Sequence, residues 1–493
     1  MKKFAVGMLL ALLLYFPGTA RAYQPDQAYT YKDGKAVPSA NVFQVVAVID
    51  QQVMGCGSLK NAQDIFVDSR DQVYILDSGN MRVLALDAQY RCVHELKEFS
   101  YNGETLTLAE GAQGLFYREA TEELYIADTK NNRVLVSDLA GNVSHIYEKP
   151  VSSLLDANVS YSPRKIVVDN MGLMYVTSGN VNTGALLIDG ENTFLGFYGI
   201  NAIKETFAVM VEYMWRSILT DEQNAQSAYS FQPTEFNNLF WSSNRFVYAV
   251  SPYSATIQSP VVKLNAVGNN VFPSGAAFGD MALSRSDEQL AQDMPIFADI
   301  TVDGDGLFTI LDMHNGRLFQ YDAECNLLAV FGGLGAQQGL FTSPVSIAAD
   351  SRNRILVLDA GKNTVTVMER TFYGEKIKEA VFLHNDGRYE EALAPWAEII
   401  KMNANYNLAY VGMGKAYMKL GQYEQAKRYF RLAGDQENYA AAKEALRGVR
   451  LRENFASIAT GVIILLLLIL FSDYLRRLSR RIFHGVAKRR RKQ

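Results

Sequence analysis

Apolar residues along most of this chain come in short runs that end on an acidic or small polar residue. Val73-Tyr74-Ile75-Leu76-Asp77, Phe308-Thr309-Ile310-Leu311-Asp312 and Ile355-Leu356-Val357-Leu358-Asp359 share this form. Runs of this length, bounded by turn residues, read as buried strands rather than helices. A second marker stands nine positions ahead of each closing residue: Asp68, Asp303 and Asp350. The same interval links Glu119 to Asp128, Asp169 to Ser178 and, in a degenerate copy, Ser242 to Ser251. Five residues after the closing residue stands Arg82, Arg133 or Arg317, and ten after it Asp87, Asp138, Asp322 or Glu369. Six units with a period near 50 therefore fill residues 43–373, each supplying three to four strands. Such a unit cannot cover both of its own faces, but a ring of units can. The apolar stretch 42–49 lies outside every unit. It is the expected fourth strand of the last blade, paired with Val365–Glu369, because an open edge is a pairing hazard.

The segment Leu124-Tyr125-Ile126-Ala127-Asp128-Thr129-Lys130-Asn131-Asn132-Arg133-Val134 resembles the NHL-repeat family. That resemblance implies a mainly β fold, a six-bladed β-propeller over residues 23–373. It implies no particular activity, because propellers host many. Between the third and fourth units, Ile203, Phe207, Met210, Val211, Met214 and Ile218 fall on one helical face. An insertion near 202–220 is expected there, either lying on the propeller side or docking a partner through Trp215.

After residue 374 the period turns helical. Gly387-Arg388-Tyr389-Glu390-Glu391-Ala392 and Gly421-Gln422-Tyr423-Glu424-Gln425-Ala426 stand 34 residues apart, as do Trp396 and Phe430. This resembles the tetratricopeptide repeat, and residues 374–453 are assigned to such a module, a spacer or a small docking groove. Ala380 and Ala404 depart from the repeat's usual residues in the first unit.

Two segments point to a membrane. Residues 1–22 read as a secretory signal: Lys2 and Lys3, an apolar stretch from Phe4 to Phe16, then Ala20-Arg21-Ala22. Left uncleaved, it would place the main domain on the same side. Residues 455–472 carry no charge and read as one transmembrane helix. The tail 473–493 follows, with nine Lys and Arg in the last twenty residues. That flank favours a cytoplasmic C-terminus and contact with anionic lipid. The expected protein is a single-pass membrane protein of a bacterial envelope, with its large domain outside the cytoplasm.

Charge and chemistry narrow the function. The chain has 493 residues and a net charge of −4, but the propeller region alone balances to −17. A domain so acidic argues against nucleic acid as a partner. Three cysteines, Cys56, Cys92 and Cys325, are too few for a disulfide scaffold or a cysteine-based zinc site. The five histidines show no ligand spacing. Four positions before each first marker, where an innermost strand begins, stand Asp64, Leu115, Lys165, Asn238, Asp299 and Ser346. Asp64, Lys165, Asn238 and Asp299 are the candidate ligand-binding residues of the channel mouth. The two aspartates and the asparagine suit a hard cation, whereas Lys165 opposes one. The expectation is a polar, solvated rim with no metal, no cofactor and no catalytic residue. The function expected is a binding or scaffold protein that presents propeller and helical surfaces to a protein partner or transporter. An extracytoplasmic propeller hydrolase or lyase is the alternative.

Overall fold

The structure is a computed structural model and describes residues 28–32, 34–152, 161–179, 181–199, 235–252, 259–282, 294–474 and 476–480. The signal segment 1–22, the insertion 202–220 with Trp215, and residues 481–493 of the basic tail lie outside the described residues.

Six antiparallel sheets make six blades. Their innermost strands are Asp64–Val67, Gly114–Arg118, Pro163–Val168, Asn238–Trp241, Phe297–Val302 and Pro344–Ala349. Each touches the next in turn, and the last touches the first, so the ring is closed. Blades one to three have four strands, and three of blade four are described. The sixth blade takes its outer strand from the other end of the chain: Phe43–Ile49 runs antiparallel to Thr364–Arg370, with Ile49 opposite Val365 and Phe43 opposite Arg370. The fifth carries an addition that the repeat arithmetic did not foresee, the hairpin Tyr29–Lys32 and Lys35–Pro38 on its outer edge. It is fastened through Asp280, whose carboxylate accepts from Tyr29 Oη at 2.5 Å and Tyr31 Oη at 3.0 Å and pairs with Arg317.

The repeated acidic residues hold turns. Asp68 Oδ1 accepts from the backbone N–H of Arg70 and Gln72 at 2.9 and 2.8 Å. Asp169, Asp303 and Asp350 do the same in the third, fifth and sixth blades. Asp77 and Asp128, fully buried, accept a backbone N–H from the preceding connection, Lys60 or Ala109, and pair with Arg82 or Arg133. Asp87, Asp138 and Asp322 close the outer hairpins. Asp189 and Asn265 fill that role in the third and fourth units, displaced by extra residues. Glu369 does not: it pairs with Gln44, because the next strand of its blade is the N-terminal one and there is no hairpin to close. These side chains satisfy backbone donors of the turns they stand in. The repeat is thus a structural signature and leaves its carboxylates unavailable for chemistry.

A helical region follows: Phe372–Asn385, Tyr389–Met402, Asn407–Lys419, Tyr423–Ala433 and Gln436–Glu453. The chain divides into two compact units, and the boundary differs from the expected break at residue 373. The propeller unit runs to Val381 and includes Glu398–Leu408. The reason is packing: Tyr406 is buried with its hydroxyl donating to Leu328 O at 2.9 Å, and Asn403 Nδ2 donates to Ser39 Oγ at 2.9 Å. The second unit holds Phe382–Ala397 and the chain from Ala409. Inside it, Trp396 lies over Gly412 and Phe430 over Gly414.

The segment expected to be one span, 455–472, forms the helix Phe455–Leu470. Sixteen residues reach about 24 Å at 1.5 Å each, short of a hydrocarbon core of about 30 Å. No single helix among the described residues is long and apolar enough to cross a membrane. Gln436–Glu453 and Phe455–Leu470 meet the length and hydropathy requirement only as a pair, bent by 65°. The shorter helix nevertheless exposes every large apolar side chain it has, from Phe455 to Leu470.

Candidate functional site

The six residues four positions before each marker all lie within the first three positions of innermost strands, and the structure brings five of them into one buried network. Lys165 Nζ lies 2.7 Å from Asp64 Oδ1. Ser346 Oγ stands 2.9 Å from that same oxygen and 2.6 Å from Asp299 Oδ2. Asn238 Nδ2 donates to Asp299 Oδ1. Backbone donors add to the set: Leu115 N–H to Asp64 Oδ2, and Ile347 N–H and Ile300 N–H to Asp299 Oδ2 and Oδ1, all at 2.7 Å, with Ile65 N–H to Asp64 Oδ1 at 3.2 Å. The solvated rim that the sequence led us to expect is therefore corrected. Asp64, Asn238 and Asp299 are 4–6 % exposed. Their polar atoms face one another because the inner strands converge on the channel axis at this level.

The network contains one hydroxyl proton between two carboxylates. Ser346 can donate to one of them only. The second short contact needs a proton on the other carboxyl. Asp299 is the group that carries it: its carboxyl is pushed up to about 7, chiefly by burial, with the charge of Asp64 adding and Lys165, Ser346 and Ile347 N–H opposing. Asp64 also faces Lys165.

A pH dependence follows. Between the ordinary carboxyl value of 3.8 and about 7 the unfolded chain has lost the Asp299 proton and the folded chain keeps it. This contribution to stability is full below pH 3.8 and is lost as pH rises toward 7, with a slope of up to about 1.4 kcal/mol per pH unit. Asp299→Asn is expected to abolish that slope in urea unfolding measured from pH 4.5 to 7.5, whatever its constant cost. An unchanged slope would disprove the assignment.

Beyond the network lies a cavity of about 470 Å³. Its residues pass from buried Asp64, Asn238 and Asp299 to exposed Glu119, Ala120 and Asn170. Phe66, Phe116, Tyr117, Phe240 and Trp241 line it. The sequence reading missed them, yet for Phe66, Tyr117 and Phe240 the signal was present. Side chains two apart on a strand share a face, so Phe66, Tyr117, Phe240 and Thr301 follow from Asp64, Leu115, Asn238 and Asp299. Thr301 is buried and its Oγ1 has no hydrogen-bond partner among the described residues. Arg118 and Glu119 at the mouth are already engaged, Arg118 with Asn170 O and Glu119 with Ser69. Among the described residues no group of three or more His, Cys, Asp or Glu could hold a metal ion.

No protein-family model matches the chain, and no curated protein matches it. Among solved structures, it is similar to a streptogramin B lyase at 8% identity, covering 67% of this chain and 98% of that one with a TM-score of 0.39. A gluconolactonase from Xanthomonas campestris is 11% identical, with 70% and 99% covered and a TM-score of 0.41. A protein of unknown function from Bacteroides thetaiotaomicron is 13% identical, with 64% and 71% covered and a TM-score of 0.40. None of these scores reaches 0.5, and nothing about activity is drawn from them. The class is defined by this chain's own sheets and ring: a six-bladed β-propeller followed by a C-terminal helical region.

Proposed function

We propose that this chain is a membrane-anchored, extracytoplasmic binding protein. In this reading its NHL-like propeller and tetratricopeptide-like helices present surfaces to a protein partner or transporter, and the channel cavity holds a small apolar or aromatic ligand. The observation that carries it is the division of the channel. The charged groups at its buried end are occupied by one another, and the accessible end offers aromatic walls. Such a cavity supplies shape and apolar area, with a few polar groups for orientation. A hydrolase or lyase needs a base or acid free to meet its substrate, and Asp64, Lys165 and Asp299 are engaged with each other.

The anchoring rests on the helix Phe455–Leu470, whose apolar side chains face outward on all sides, with Arg476, Arg477 and Arg480 close behind. A surface of that kind is unfavourable in water and favourable in lipid. Membrane lipid is thus the partner of the C-terminal helix and the basic tail. Deleting 454–493 is expected to move the protein from the membrane to the soluble fraction without changing its thermal unfolding. External protease should degrade the propeller of intact cells and spare the last residues. A photo-crosslinking residue at Ala120 should capture a partner or ligand in intact membranes. Retention of the truncated chain in membranes would overturn the anchor. Turnover of an ester or lactone that Asp299→Asn abolishes would overturn binding as the function.

A further inference from the structure

Two of the three cysteines meet, although 36 positions separate them in the sequence. Cys56 follows the short helix Gln51–Met54, in the connection that leaves the closing strand Phe43–Ile49. Cys92 opens the outermost strand of the first blade, Cys92–Leu96. Both are half-buried against one apolar cluster that includes Met54, Leu84 and Leu86. Arg82 fastens the two segments independently: its Nη1 donates to Cys56 O at 2.8 Å and to Glu95 Oε1 at 2.7 Å, on the strand that Cys92 begins. The side chains of Cys92 and Cys56 interact with each other, and Cys92 Sγ donates to His94 O at 3.5 Å. Cys325 sits in the outer turn of the fifth blade, where Cys325 N–H donates to Asp322 O.

We infer that Cys56 and Cys92 are joined by a disulfide in the mature protein, a covalent strap from the connection behind the ring's closing strand to the outer edge of the first blade. This rests on the reading that the propeller lies outside the cytoplasm, where such bonds persist. The oxidant is a protein or small-molecule disulfide. One cysteine, as thiolate, attacks it and releases a thiolate, leaving a mixed disulfide. The other cysteine then displaces the second thiolate. Two thiols lose two protons and two electrons, and the donor disulfide is reduced to two thiols. Burial pushes the Cys92 thiol up to about 12, with Cys56 adding to the shift, so Cys92 itself is a poor nucleophile near neutral pH in the folded chain.

The test compares the full chain taken from the membranes of an exporting bacterial host with the same chain reduced, unfolded and refolded in a mixture of reduced and oxidised glutathione. Intact mass and peptide mapping after alkylation in denaturant read the result. The membrane-derived chain is expected to lack two hydrogen atoms, with a Cys56–Cys92 cross-linked peptide and alkylation at Cys325 alone. Reductant should lower its unfolding temperature by about 2–4 °C, and it should have no such effect on Cys56→Ala. Free Cys56 and Cys92 in the membrane-derived chain would overturn the proposal. The refolding arm then separates the causes. A bond that forms in glutathione but not in the cell, together with a propeller protected from external protease, places the fault in the location. No bond in glutathione places it in the geometry.

Discussion

Trp396→Ala is expected to cost the helical region about 3–5 kcal/mol in urea unfolding followed by far-ultraviolet circular dichroism, and Phe430→Ala a similar amount. Both rings are almost wholly buried, 2 % and 1 % exposed. Each sits where a neighbouring helix offers a glycine. A Cβ added at Gly412 would lie 2.5 Å from Trp396 Cε2, and one at Gly414 2.6 Å from the Phe430 ring. The close approach gives the pair a second, sharper test. Gly412→Ala alone must displace the indole, but with Trp396→Ala the added methyl enters vacated space. The two substitutions should therefore be far from additive, the second costing much less in the presence of the first. A loss below about 1 kcal/mol for either ring, or simple additivity of the glycine pair, would contradict this packing.

Lys165→Met should destabilise the propeller by about 3–5 kcal/mol, because it removes the cation from a buried carboxylate and leaves the carboxylate in place. Asp64 would keep Ser346 and Leu115 N–H as donors but lose its counter-charge. Adding Asp64→Asn should recover a large part of the loss, since no unpaired charge then remains. Thermal unfolding of the two single variants and the double variant checks this. Equal stability of Lys165→Met and the unaltered chain would show that the pair does not matter.

The propeller was legible because its repeat is built from short-range chemistry. An aspartate that caps its own turn must stand a fixed distance from the strand it precedes, and Asp68, Asp169, Asp303 and Asp350 all do. Counting back from them found Asp64, Lys165, Asp299 and Ser346, and the degenerate marker Ser242 gave Asn238, since register along one strand is a local property. Which of these groups would hold which proton was not legible. That depends on three blades meeting at Ser346, and no spacing in one dimension records it. The solvated rim was expected for the same reason: strand position gives direction, but convergence on an axis gives burial. The hairpin at Tyr29–Pro38 escaped notice because it belongs to no repeat, although Asp33-Gly34 between alternating side chains is a hairpin signal. The meeting of Cys56 and Cys92 depends on how the chain leaves the closing strand. The apolar run and the helix both start at Phe455, but the run reaches Ser472 and the helix ends at Leu470.

Ribosomal synthesis gives the closing of the ring an order in time. The strand Phe43–Ile49 is among the first parts of the ring to be made, and its partner Thr364–Arg370, more than three hundred residues later, is the last. Throughout that interval the strand waits with neither edge paired, and the sixth blade does not exist. A nascent chain stalled anywhere before Arg370 is therefore left with a sticky edge at each end of an unfinished array. Once the last strand arrives, a nick in a loop on the far side of the ring would not release either terminus, because the two are held by each other. The helical region, made afterwards, starts from an already sealed ring: Phe372 follows Arg370 by two residues.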